Sequence, residues 1–187
     1  MRRIFFLCAI GFIGCAAWGQ QPPAGLETPW DVRTILAALT AQTGELRPLL
    51  AQLNPQQWVD KGASNTYVLQ WQTAQRQLQD VLVSTQRLSQ KTDSLSLALD
   101  TYFRFEALEV SMRSLDEGAQ RYGPRAMSEK LGAYVAHSFD SRQRLRDYLE
   151  DLASSTEQNF KIADEEAQRC RGIISKEAPS SSKKKKY

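Results

Sequence analysis

Cysteine is scarce in this chain and badly placed for a disulfide. Of three cysteines, Cys8 and Cys15 lie in the first twenty residues, leaving Cys170 alone in the body. A single thiol excludes an internal disulfide, so the fold must hold by packing. Histidine is limited to His137. That excludes a zinc site with several His or Cys ligands, since such sites need three or four protein ligands. Chemistry-bearing motifs are missing too. There is no Gly-X-Ser-X-Gly, no phosphate-binding Gly-Lys-Ser/Thr loop, no Glu-X-X-His pair and no Cys-X-X-Cys-His haem attachment. No Asn-X-Ser/Thr acceptor occurs beyond residue 19, because Asn54, Asn65 and Asn159 are each followed by other residues.

Long hydrophobic runs are absent except at one place. Ile4 to Ala17 is uncharged and mostly apolar, follows Arg2 and Arg3, and ends in small residues before Gln20, Gln21, Pro22 and Pro23. Its fourteen residues fall short of the roughly 20 that a membrane-spanning helix needs. The layout reads as a secretory signal peptide over residues 1–19. Ala17-Trp18-Gly19 places the cut after Gly19. A second reading runs through Cys15. Phe12-Ile13-Gly14-Cys15 resembles the bacterial lipoprotein box, with Phe12 in place of the usual aliphatic residue. That resemblance implies lipidation of Cys15 and tethering through acyl chains.

Charge of one sign is confined to an end. The formal net charge is +3, but without Arg2 and Arg3 it is +1, and without Lys183 to Lys186 as well it is −3. A mildly acidic body has no basic face for nucleic acid, so none is expected as a partner. The run Lys183, Lys184, Lys185, Lys186 is the one candidate contact with an anionic membrane or cell-wall surface, worth about 1 kcal/mol per lysine near such a surface.

Glycine and proline are absent from residues 63–117 and 133–171. Helical periodicity fills both gaps. Tyr67, Trp71, Ala74, Leu78, Val81, Thr85, Leu88, Thr92, Leu95, Leu99 and Tyr102 recur at steps of three and four. As one helix, residues 63–117 would run about 83 Å at 1.5 Å per residue, too long for a compact domain. A break is expected in Ser89–Ser94, with Thr92 or Asp93 as the new cap. Before this, Pro29 suits a first helical position, Val32 to Leu53 carry an apolar stripe, and Pro48 calls for a break near Gly44. Asn54-Pro55 opens a short helix carrying Trp58, which Gly62 ends.

Gly118 and Gly123-Pro124 read as the two ends of a loop. The last stripe runs through Met127, Leu131, Val135, Leu145, Leu149, Leu152, Ala163, Cys170 and Ile173, and Ser154-Ser155-Thr156-Glu157 matches a capping box that could restart it. The fold class is all-α: an up-down bundle of four to five helices. The expected organisation is a signal peptide (1–19), a flexible leader (20–27), a helical bundle domain (28–176) and a disordered Lys-rich tail (177–187).

Three groups stand out as candidate sites. His137 and Asp140 are three apart and share a helix face, the arrangement a general base or metal ligand would use. Axial haem ligation would pair His137 with Met112 or Met127. Arg142, Arg144 and Arg146 read as a solvated face paired with Asp140 and Glu150. Trp58, Tyr67, Trp71, Tyr102, Phe103 and Phe105 read mainly as helix-helix packing, with at least one of Tyr102, Phe103 and Phe105 exposed.

Export, helicity and missing catalytic motifs together point to a non-enzymatic binding or interaction protein of the bacterial cell envelope, without cofactor or metal. Its partner would be a protein or envelope component. The alternatives are an elongated coiled-coil structural or chaperone-like protein, whose sign would be an unbroken helix over residues 63–117, and an enzyme or haem protein centred on His137.

Overall fold

The structure, a computed structural model, describes residues 29–177. The expected signal peptide (1–19) with Cys15, the expected leader (20–27) and Lys183 to Lys186 lie outside the described residues. Six helical segments follow one another: α1 (Pro29–Gly44), α2 (Leu46–Gln52), α3 (Pro55–Asp60), α4 (Thr66–Gln90), α5 (Leu95–Tyr122) and α6 (Arg125–Glu177). No strand occurs among the described residues, and the chain is all-α as its periodicity requires.

The segment ends follow local chemistry. α1 gives way to α2 at Glu45, where Pro48 has no N–H for the Gly44 carbonyl. Asn54 caps α3 by accepting from the Gln57 N–H, with Pro55 at the first position. Gly62 turns the chain at φ +97°, a conformation that L side chains rarely adopt. The 63–117 stretch breaks where polar residues cluster. α4 ends at Gln90, and Ser94 caps α5 by accepting from Leu97 N–H. The cap is Ser94 rather than Thr92 or Asp93.

The structure departs from expectation at Gly118 and leaves the possible restart at Ser154 unused. Gly118 is not in a loop. α5 runs through it to Tyr122, because the missing side chain lets α5 approach Trp58 and Tyr67. A Cβ at Gly118 would sit 2.8 Å from both Trp58 Cζ3 and Tyr67 Cε1. The capping box at Ser154 does not restart a helix either. Thr156 Oγ1 donates to the Leu152 carbonyl one turn back, so the hydroxyl serves the helix already running.

Cross-helix bonds give the packing directions. Thr40 donates to Thr85 Oγ1, Arg47 to Gln79, and Trp71 Nε1 to the Leu50 carbonyl, so α1 and α2 run antiparallel to α4. Ser111 donates to Gln77 and Ser114 to Gln70, aligning α5 against α4. Ser138 donates to Glu109, and Tyr148 OH to the Thr92 carbonyl, aligning α6 against α5. The helices form a bundle around Leu36, Leu39, Leu46, Leu50, Leu88, Phe105, Leu108, Met112, Leu115, Leu131 and Leu145, all fully buried. At one end Trp58, Tyr67 and Tyr122 stack edge to face, at centroid distances of 5.8 and 6.2 Å. Phe105 is buried and Phe103 is 58% exposed, the split expected for neighbours on one helix.

α6 outlasts the bundle. Leu152 is its last buried residue, and from Thr156 to Ser175 every residue except half-buried Ala167 is exposed. Ala163, Cys170 and Ile173, expected in the core, therefore face solvent. The extension from Leu152 to Glu177 is about 37 Å long at 1.5 Å per residue. The spacing of Ala163, Cys170 and Ile173 is right for a core, but none of the other described helices reaches them.

A groove between the first and last helices as candidate functional site

α1 and α2 lie beside α6 without closing on it. Between them runs a groove of about 800 Å³. Ala38, Ala41, Gln42, Glu45, Pro48, Leu49 and Gln52 form one wall, and Lys130, Ala133, Tyr134, His137, Asp140, Ser141 and Arg144 the other. Side-chain size contributes: alanines occupy positions 38, 41 and 133, where larger side chains would fill the gap. Ser141 Oγ donates to Gln42 Oε1 at 2.5 Å and ties the walls together. From Lys130 to Arg144 the α6 wall extends about 21 Å.

The rim carries both signs of charge, with Lys130 and Arg144 against Glu45 and Asp140. His137 is exposed on the α6 wall, and its Nδ1 lies 3.1 Å from the Ala133 carbonyl oxygen. In the tautomer that donates this bond, Nε2 remains as an acceptor. Tyr134 reaches inward from the same wall. Its hydroxyl lies buried beside that of Thr43, with no well-formed hydrogen bond for either. Burial raises the Tyr134 phenol well above its ordinary pKa, with the Glu109 charge adding to the rise.

Behind Tyr134 lies an ionic site that sequence reasoning missed. Glu109 is 2% exposed. It accepts from Ser138 Oγ at 2.7 Å and pairs with Arg142 at 2.9 Å and Arg113 at 3.6 Å. Arg142 thus leaves the solvated arginine face on which periodicity put it. Its side chain is 23% exposed because it turns in to neutralise Glu109. Arg146 does pair with Glu150 in the open, at 2.8 Å. Arg144 and Asp140 meet the groove. The signal was available: Glu109 falls four after Phe105 and three before Met112, a core position occupied by a charge.

The other sequence candidates separate. His137 and Asp140 do share one face, that of the groove. Met112 is fully buried on α5, while His137 is exposed. Met127 lies ten residues before His137 on the same helix, about 15 Å away along its axis. Met127 is thus too distant along the helix to share an iron position with His137, and Met112 is closed off in the core. Among the described residues no three His, Cys, Asp or Glu side chains gather for a metal ion. Nor is any described helix long and apolar enough to cross a membrane. Comparison with protein-family models, with curated proteins and with solved structures gives no match.

Proposed function

We propose that this chain is an exported interaction protein of the bacterial envelope, an up-down bundle that docks a partner's amphipathic helix in the α1–α2/α6 groove. The observation that carries the reading is the small alanine side chains on both walls. Ala38, Ala41 and Ala133 let a third backbone come close, along a channel about 21 Å long. A partner helix of about fourteen residues spans that length. The mixed-sign rim suits a polypeptide with charges of both signs better than a simple anion or cation. Binding without catalysis is supported by the bonding of the polar side chains: Ser141 on the same wall donates to Gln42, and His137 Nδ1 lies on the Ala133 carbonyl, so serine and histidine are not paired as nucleophile and base. Export rests on residues 1–19, lipidation of Cys15 is its variant, and Lys183 to Lys186 would add attraction to an anionic surface.

A photoreactive residue at position 137, introduced in the living cell, tests the groove. The reading expects one defined protein adduct from position 137 and none from position 80, where Asp80 pairs with Arg104 across α4 and α5. The same adducts from both positions would reject it.

A second reading, an elongated structural or chaperone-like protein, loses its expected sign, since residues 63–117 form two helices. It draws instead on α6, whose 53 residues span about 80 Å. Small-angle scattering of dilute monomer separates bundle from rod.

A further inference from the structure

Beyond Leu152, α6 keeps an apolar seam that no described residue covers. Phe160, Ala163, Ala167, Cys170 and Ile174 follow at steps of three, four, three and four, the spacing of a helix that packs on another helix. At 100° per residue this seam points within roughly 30° of the buried stripe Leu131, Tyr134, Ser138, Leu145, Tyr148 and Leu152. It is the bundle-facing side of α6, carried past the end of the bundle. Helices owe most of their stability in proteins to packing of such a face, and this one has no partner among the described residues.

We infer that the α6 extension pairs antiparallel with the same segment of a second copy, centred between Gln168 and Arg169. Geometry fixes the direction. The seam and the bundle lie on the same side of α6, so a parallel partner would drive the two bundles into one another. Antiparallel pairing puts them at opposite ends. Charge fixes the register. With the centre at 168–169, Ala163 packs on Ile174 of the second copy and Ala167 on Cys170. Asp164 then flanks Arg171 of the second copy, twice by symmetry. One heptad in one direction would set Asp164 against Asp164 and Glu166 against Glu166 of the second copy. One heptad in the other would set Arg171 against Arg171. Both alternatives juxtapose like charges, which act against the wrong register. The overlap is about 27 Å of helix with a small-residue core, so the contact belongs with small, weak interfaces.

Sedimentation equilibrium of the purified protein over a micromolar concentration series tests this. A reversible dimer is expected. Ala167→Glu should leave monomer at every concentration, while Gln158→Glu, off the seam, should dimerise as wild type does. Arg171→Asp should weaken dimerisation by about fivefold, and Asp164→Lys combined with Arg171→Asp should restore it. That rescue belongs to the antiparallel register, because in a parallel pair Arg171 meets Glu166 instead. The bundle's thermal midpoint reports folding of each variant, since none of these positions is in the core. A monomer throughout, unchanged dimerisation in Ala167→Glu, or no rescue in the double variant would overturn the inference.

Discussion

Gly118 lies so close to Trp58 that a single added carbon would reach to 2.8 Å from Cζ3 of its ring. Trp58 is held by α3, whose start is set by Asn54 and Pro55. The contact therefore joins the short connecting helix to the end of α5. Gly118→Ala gains up to about 1 kcal/mol of helix propensity. Overpacking against Trp58 and Tyr67, two rings that also stack on one another, costs about 1–3 kcal/mol. The net expectation is a loss of about 1–2 kcal/mol, read from the urea midpoint, and a gain in stability would refute the close contact.

The Glu109–Arg142 pair should behave as a buried ion pair. Arg142→Ala leaves Glu109 with Ser138 and the more distant, half-exposed Arg113. A loss of about 2–3 kcal/mol is expected, and Arg113→Ala should cost much less. Replacing both Glu109 and Arg142 by methionine should recover most of the loss, because no uncompensated charge then remains. Equal effects of Arg142→Ala and Arg113→Ala would contradict the geometry.

Alkaline pH should unfold the bundle through its buried phenols. Tyr148 is pushed up from 10.0 to about 12, mainly by burial and further by Asp93. Tyr134 is raised as well, by burial first. A phenol whose folded value exceeds its unfolded value contributes stability that is complete below pH 10 and lost as pH climbs toward 12. Each such tyrosine contributes a slope of up to about 1.4 kcal/mol per pH unit in that window. Urea midpoints at pH 9, 10 and 11 should fall more gently in Tyr148→Phe than in wild type. Parallel profiles would show that Tyr148 does not carry the effect.

The two halves of α6 should differ sharply in their energetic weight. Phe160 is 75% exposed, whereas Phe105 is fully buried. In dilute solution Phe160→Ala should shift bundle stability by no more than about 0.5 kcal/mol. Phe105→Ala should cost about 3–5 kcal/mol. A comparable loss at Phe160 would mean that the extension packs on its own bundle.

These contrasts show where the sequence was legible. Helix starts were readable at Asn54-Pro55 because side-chain caps act locally. The break before α5 was readable to within a residue or two, since several polar residues compete to cap and Ser94 prevails. Gly118 was misread because glycine in a helix serves either a turn or a close approach, and only the position of Trp58 decides. The stripe of α6 was readable, but not where its cover ends. Period records which face is apolar, not whether another helix reaches it. The groove escaped for a related reason. It is made by what Ala38, Ala41 and Ala133 do not fill, and the distance between α1 and α6 is a tertiary quantity. His137 and Asp140 were singled out for chemistry, and they do share the groove face, though as part of a wall rather than a cluster.

The most direct test of groove docking is to fill the groove. Ala41→Trp and Ala133→Trp put an indole on each of its walls at exposed positions, with little expected cost to folding. The measurement is the affinity of these variants, by calorimetry, for the protein captured from position 137. Docking in the groove predicts that each variant binds at least about tenfold more weakly, a loss of about 1.4 kcal/mol, while Asp80→Ala on the far side binds normally. Undiminished binding by both tryptophan variants would contradict it.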